Sequence, residues 1–167
     1  MNLRSFLCGL TALLVLSGCA YQLGPTNDRV AGAQTIAIEY FPNKSSEPQL
    51  TDLVATAIRR EVQRDGTFRL ASRGDADIVV TGTIISYGRT PVGSKRDDVL
   101  TPTDYDVRIL AKVRAMRGGE TVYDGEIFGS AQVAFKNDLS NAERENNPVA
   151  AENLARNLIN AIANGSW

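Results

Sequence analysis

The chain has 167 residues, 18 basic and 19 acidic side chains, two cysteines and no histidine. A balance this near zero argues against broad nucleic-acid binding, so no nucleic-acid partner is expected. The lack of histidine removes the commonest general base and the commonest metal ligand, so the chain is expected not to be an enzyme, with no catalytic residue and no metal.

The first 20 residues carry an export signal. Met1 to Arg4 is a short positive start, and Ser5 to Leu16 is an apolar run. Twelve residues at helical rise span roughly 18 Å, short of the ~30 Å hydrocarbon core, so the run fits a signal peptide better than a membrane span. Leu16-Ser17-Gly18-Cys19 then resembles the lipobox of bacterial lipoproteins. Cleavage before Cys19 and acylation of its thiol are the expectation. Lipid on Cys19 then takes the place of any cofactor and ties the chain to a membrane. Cys8 leaves with the signal, so the mature chain has no free thiol and no internal disulfide. Zinc sites and Ser-His or Cys-His catalysis drop out with it. The residue after Cys19 is Ala20, not Asp, and by the sorting habit of Gram-negative lipoproteins this favours the outer membrane, facing the periplasm. Arg4 is the only charge of the signal, and removing the first 18 of 167 residues leaves 149, enough for one domain. The expected division is a signal peptide over 1–18, a lipid-anchored tether over 19–34 and a single α/β sandwich domain over 35–167.

Thr35 to Phe41 is β-branched and aromatic and reads as a strand, broken at Pro42. Ser46-Glu47-Pro48-Gln49 reads as a helix start capped by the Ser46 hydroxyl. Leu50, Leu53, Val54, Ala57, Ile58 and Val62 make an apolar stripe at the helical period, with Glu61 on the polar face, and Asp65-Gly66 ends the helix. Thr67 to Ala71 is a possible edge strand, and Ala76 to Tyr87 is a largely buried one. Gly88 to Thr103 holds Gly88, Pro91, Gly93 and Pro102 and reads as a long polar loop. Tyr105 to Met116 alternates cleanly. Gly118-Gly119 makes a hairpin into Thr121 to Phe135, where Gly125 and Gly129 suggest bulges. Asn137 to Asn146 is polar, and Asn147-Pro148 reads as the start of a second helix that ends at Asn164-Gly165. The expected fold is α+β: a mostly antiparallel, mixed four-stranded sheet with two helices packed on one face.

Two constellations bear on function. Arg108, Lys112 and Arg114 share the outer face of one strand, and Arg89, Lys95 and Arg96 precede it. They form a candidate strip for phosphates or an acidic partner surface. A solvated sheet face is the plain alternative. Leu110 and Met116 lie among these cations, a mixture that suits an amphiphile, a protein interface or sheet-edge packing alike. The pairs Asp75/Asp77 and Asp104/Asp106 read as turn and strand-end chemistry rather than acid–base pairs.

Together these segments resemble the lipopolysaccharide-assembly lipoprotein family LptE. The resemblance rests on Cys19-Ala20-Tyr21-Gln22-Leu23-Gly24; on Thr35-Ile36-Ala37-Ile38 with Phe41 and Asn43-Lys44-Ser45; on Leu50-Thr51 with Ala57 and Arg60-Glu61; and on Ala76-Asp77, Thr81-Gly82-Thr83-Ile84 and Ser86-Tyr87. The second half matches in element order only, so no ligand-contact residue is carried over. The resemblance implies a plug inside an LptD-like outer-membrane β-barrel, which helps the barrel assemble and assists delivery of lipopolysaccharide to the outer leaflet. Barrel and lipopolysaccharide are the implied partners, and the mechanism is binding rather than covalent chemistry. The rival expectation is a periplasm-facing adaptor lipoprotein that binds peptidoglycan or another envelope protein.

Overall fold

The computed structural model describes residues 34–95, 98–134 and 139–164. The signal segment, Cys19, the tether up to residue 33 and Arg96 lie outside these. Strand β1 (Gln34–Ile38) stops before the end of the apolar run. Phe41 instead turns fully inward over Gly82, where an added Cβ would stand 2.3 Å from its ring. The chain then runs along the neighbouring strand: the Ile84 N–H donates to the Pro42 carbonyl and the Lys44 N–H to the Ile84 carbonyl, both at 2.9 Å.

Helix α1 (Leu50–Asp65) buries Leu50, Val54, Ala57, Ile58 and Val62 of the stripe expected from the sequence, with Leu53 partly buried against the same core. Its start differs from the Ser46 cap. Gln49 occupies the cap position and makes no side-chain cap bond. The entry turn is built by Asn43, whose Oδ1 accepts from the Ser45 N–H at 2.9 Å and whose Nδ2 donates to the Glu47 carbonyl at 2.7 Å. An amide that both donates and accepts closes this turn better than one hydroxyl. Gly66, at φ 74°, ends the helix as expected. Glu61 is buried, contrary to its assignment to the polar face. It lies four residues from Ala57 and three from Ile58, on their side of the helix. Arg64 pairs with it, and Arg156 Nε approaches to 4.0 Å.

The sheet has five strands rather than four, because the short run after α1 is a full member, β2 (Phe68–Leu70), at one edge. Strands β3 (Ile78–Lys95), β4 (Asp98–Arg117) and β5 (Glu120–Ala134) complete the order β2-β1-β3-β4-β5. β1 is parallel to both neighbours, while β3, β4 and β5 are antiparallel. The expected loop over 88–103 is therefore mostly strand. Pairing with β4 carries β3 through Gly88 and Pro91, and the register shifts that breakers cause fall between Pro91 and Lys95. The parallel pairing on the other side of β3 ends at the Asn43–Ile84 bridge, so Pro91 lies on an edge stretch that tolerates a missing N–H.

Gly118 and Gly119, at φ 55° and 90°, make the tight turn that their sequence predicts. Gly125 and Gly129 are not bulges; both sit in regular register, opposite Val113 and Ile109. The one irregularity of the β4–β5 pairing among the described residues falls instead between Ala115 and Met116, and β3 has a further one between Ile84 and Ser86 besides those after Pro91. Gly129 serves packing. An added Cβ there would stand 2.2 Å from the Ala150 carbonyl oxygen and 2.3 Å from the Leu154 nitrogen.

Helix α2 (Leu139–Asn164) starts eight residues before the expected Asn147-Pro148 cap and runs through Pro148. Ala142, Glu143, Arg144 and Glu145 are good helix formers and sustain it. Asn147 is buried and accepts from the Tyr87 hydroxyl at 2.9 Å, so it joins helix to sheet rather than capping. Asn153 and Asn157 donate to the Ser130 and Phe128 carbonyls at 2.7 and 2.9 Å, satisfying acceptors of edge strand β5. Both helices thus cover one sheet face, where Ile78, Val80, Ile84, Val107, Ile109, Ala111, Val113 and Ala115 meet Leu154, Leu158 and Ile159 in the core.

Candidate functional site

The sheet face that neither helix covers is the candidate site, and strand alternation builds it. Because Val107, Ile109, Ala111, Val113 and Ala115 point into the core, Arg108, Lys112, Arg114 and Met116 point outward. Leu110 shares their face and is half-buried. Register places three rows across it: Thr81–Arg114–Asp124, Thr83–Lys112–Glu126 and Ser86–Leu110–Phe128.

The three cations differ in state. Arg114 is held by Asp124, whose Oδ2 accepts from Nε at 2.8 Å and Nη2 at 2.6 Å. Arg108 lies 3.7 Å from Asp106 and stacks over the Phe128 ring at 5.0 Å. Phe128 is 48% exposed, so this stacked pair presents an apolar and cationic surface together. Lys112 makes no ion pair among the described residues. The expected basic strip is thus a mixed-charge surface with one lysine left open, since β5 supplies a facing carboxylate that the sequence alone does not align with Arg114.

Arg89 does not join the strip. Its register partner is the buried Val107, so it stands on the helix side, 5.7 Å from the Tyr87 ring centroid. The bulge after Ile84 resets which β3 residues face outward. Lys95 lies in β3 opposite Asp98, its side chain outside the described set, as is all of Arg96.

The structure adds residues that sequence reading missed. A groove of about 320 Å³ crosses the outer face, floored by Thr81, Gly82, Thr83 and Ile85 and walled by Lys44, Lys112, Arg114 and Asp124. Lys44 reaches it because the segment after β1 hydrogen-bonds along β3. In sequence it sits in a turn with no functional signal. Thr81 and Thr83 stood out in sequence only as part of the strand motif Thr81-Gly82-Thr83-Ile84, not as site residues.

The Asp75/Asp77 pair holds structure. Asp77 accepts from the Thr35 N–H and hydroxyl, each at 2.8 Å, and its own N–H donates to Thr35 Oγ1 at 2.9 Å, joining the starts of β1 and β3. The backbone and hydroxyl bonds from Thr35 hold the Asp77 carboxyl below its ordinary value, aided by Arg117 and Arg69. Asp75 accepts from the Ser72 hydroxyl at 2.6 Å. Burial, then the Asp124 charge, pushes the Tyr123 phenol upward. Among the described residues no cluster of three or more metal-ligating side chains is present, and no helix is long and apolar enough to cross a membrane.

The family description for lipopolysaccharide assembly, LptE, matches residues 33–164, a span that takes in every described residue. The chain belongs to the LptE family. The LptE match starts one residue before β1 and ends with α2. Among solved structures, protein XCC0632 from Xanthomonas campestris is similar at TM-score 0.60 and 8% identity, covering 81% of this chain and 86% of its own. The hypothetical protein CT253 from Chlamydia trachomatis aligns at TM-score 0.55 and 13% identity, over 79% and 96% of the two chains. A minor lipoprotein from Acinetobacter baumannii aligns at TM-score 0.52 and 12% identity, over 78% and 93%. At such identities these likenesses speak for the fold alone. No curated protein matches the chain.

Proposed function

We propose that the chain is an outer-membrane lipoprotein, anchored through lipid on Cys19, that plugs an LptD-like β-barrel, helps it assemble and assists delivery of lipopolysaccharide to the outer leaflet. Residues 1–18 are the export signal, 19–34 the tether and 35–167 the plug. The observation that carries this reading is the family match across 33–164. The physics of the outer face supports it. A barrel lumen is polar, and Arg108, Lys112, Arg114, Asp106, Asp124 and Glu126 give this domain a mixed-charge sheet face suited to that lining. The role is binding and steric templating, without catalysis or a cofactor.

The test is a mild-detergent pull-down of tagged, acylated protein from native outer membranes, read by mass spectrometry. A stoichiometric large β-barrel is the expected companion. Recovery with cell-wall fragments, or alone, would replace this reading with that of a periplasmic adaptor.

A further inference from the structure

The N-terminal segment that leads from Cys19 enters the fold at β1, so tension on it meets Gln34 and Thr35 first. β1 lies inside the sheet, between β2 and β3 and parallel to both. Its register with β2 begins at Gln34, but its register with β3 begins only at Ile36. On the β3 side the two entry residues are held by side chains instead. Asp77 Oδ2 accepts from the Thr35 N–H at 2.8 Å, and the Asp77 N–H donates to Thr35 Oγ1 at 2.9 Å. The Thr35 hydroxyl has Asp77 Oδ2 at 2.8 Å and the Asp75 carbonyl at 3.0 Å as acceptors. Arg117, opposite Ile78 in register, reaches past the start of β3 and donates from Nη2 to Gln34 Oε1 at 2.9 Å. A strand end frays because its outermost bonds open one at a time, so bonds at the first two residues decide whether the rest of the strand holds.

We propose that Gln34, Thr35, Asp77 and Arg117 form a clamp that carries tension from the N-terminal segment into β3 and β4 and keeps β1 from being pulled out of the sheet. A pull on the start of β1 against the far end of β3 runs along two parallel strands in opposite directions. It shears their ladder, whose bonds then resist together. The clamp adds to that set the bonds nearest the pull. It also reaches β4 through Arg117, so three strands share the tension. Arg117 and Arg69 favour the charged Asp77 carboxylate, the form that accepts both Thr35 bonds. Only the source of the tension, lipid on Cys19 holding the chain at a membrane, rests on the lipoprotein reading; the clamp stands on its contacts.

The experiment pulls the mature chain, made without acylation, between single-residue handles in optical tweezers. In the first geometry the handles are Cys19 and Thr90→Cys, an exposed β3 position beyond the end of the β1 side of the pairing, so β1 is loaded against β3. In the second, in a Cys19→Ser chain, they are Glu120→Cys and Asn160→Cys, exposed positions whose intervening chain holds neither β1 nor any clamp residue. At constant force, Asp77→Ala should make the first geometry yield about fivefold faster, the factor that one net hydrogen bond supplies. It should leave the second geometry nearly unchanged. Thr35→Val, which keeps the backbone N–H and loses the hydroxyl, is the milder variant and should move the same way. Thr35→Ser keeps the hydroxyl and should match wild type. Circular dichroism confirms folding of each variant. No acceleration of Asp77→Ala or Thr35→Val in the first geometry overturns the clamp. Equal acceleration in both geometries also overturns it, since a contact that only stabilises the domain weakens every direction of pull. The lipoprotein reading is decided separately, by mass spectrometry of protein taken from membranes: Cys19 without lipid defeats that reading and leaves the tweezers result standing.

Discussion

Gly129→Ala is the sharpest perturbation of this fold. The added Cβ would meet only backbone: the Ala150 oxygen at 2.2 Å, the Leu154 nitrogen at 2.3 Å and the Leu154 Cα at 2.7 Å. No rotamer change can relieve such contacts, so α2 must lift from β5 by more than an ångström. Overpacking alone costs about 1–3 kcal/mol. Lifting α2 also stretches the Asn153–Ser130 and Asn157–Phe128 bonds, each contributing about 1 kcal/mol. The expected loss is therefore about 3–5 kcal/mol. With a urea slope of about 2 kcal/mol/M, the unfolding midpoint should fall by about 1.5–2.5 M. Gly88→Ala is the control, since nothing lies within 4 Å of its built Cβ, and it should change stability by less than about 0.5 kcal/mol. A Gly129→Ala protein that loses less than about 1 kcal/mol would refute the claim that this glycine sets the helix-to-sheet distance.

Further outcomes follow from single contacts. Asp77 has a lowered folded carboxyl value, so its contribution is present above the ordinary 3.8 and is lost as pH falls through the lower folded value. The stability gap between wild type and Asp77→Asn should thus narrow on acidification below 3.8 in a urea series; a gap that widens there contradicts the Thr35 contact. Asn153→Ala/Asn157→Ala uncovers two carbonyls of edge strand β5, and light scattering should show concentration-dependent association that wild type lacks. Tyr87→Phe leaves buried Asn147 without the hydroxyl and should cost about 1–2 kcal/mol in thermal or urea unfolding; no loss would mean that Asn147 finds another donor.

Local pattern carried much of this architecture. The stripe of α1, the Gly66 stop, the Gly118-Gly119 hairpin and the inward set of β4 were all legible, because each depends on a fixed period or on a glycine at positive φ. The breakers misled. Pro91 and Gly93 suggested a loop, yet pairing across to β4 holds them in a strand. Asn147-Pro148 suggested a cap, yet Tyr87 claims the asparagine and the helix runs on through the proline. Gly129 suggested a bulge, yet the space it leaves belongs to a helix some 20 residues later.

The site divides the same way. Alternation alone sets Arg108, Lys112 and Arg114 on one outer face, since side chains two apart along a strand point together. Which of them stays open is decided only by tertiary structure. The register of β5 brings Asp124 to Arg114, the bulge at Ile84 turns Arg89 to the other side, and the segment after β1 sets Lys44 alongside β3, on the edge of the groove that Lys112 lines from β4. Period is a property of neighbouring residues and can be read along the chain; charge pairing and groove walls depend on distances between segments far apart in sequence, which exist only once the sheet has closed.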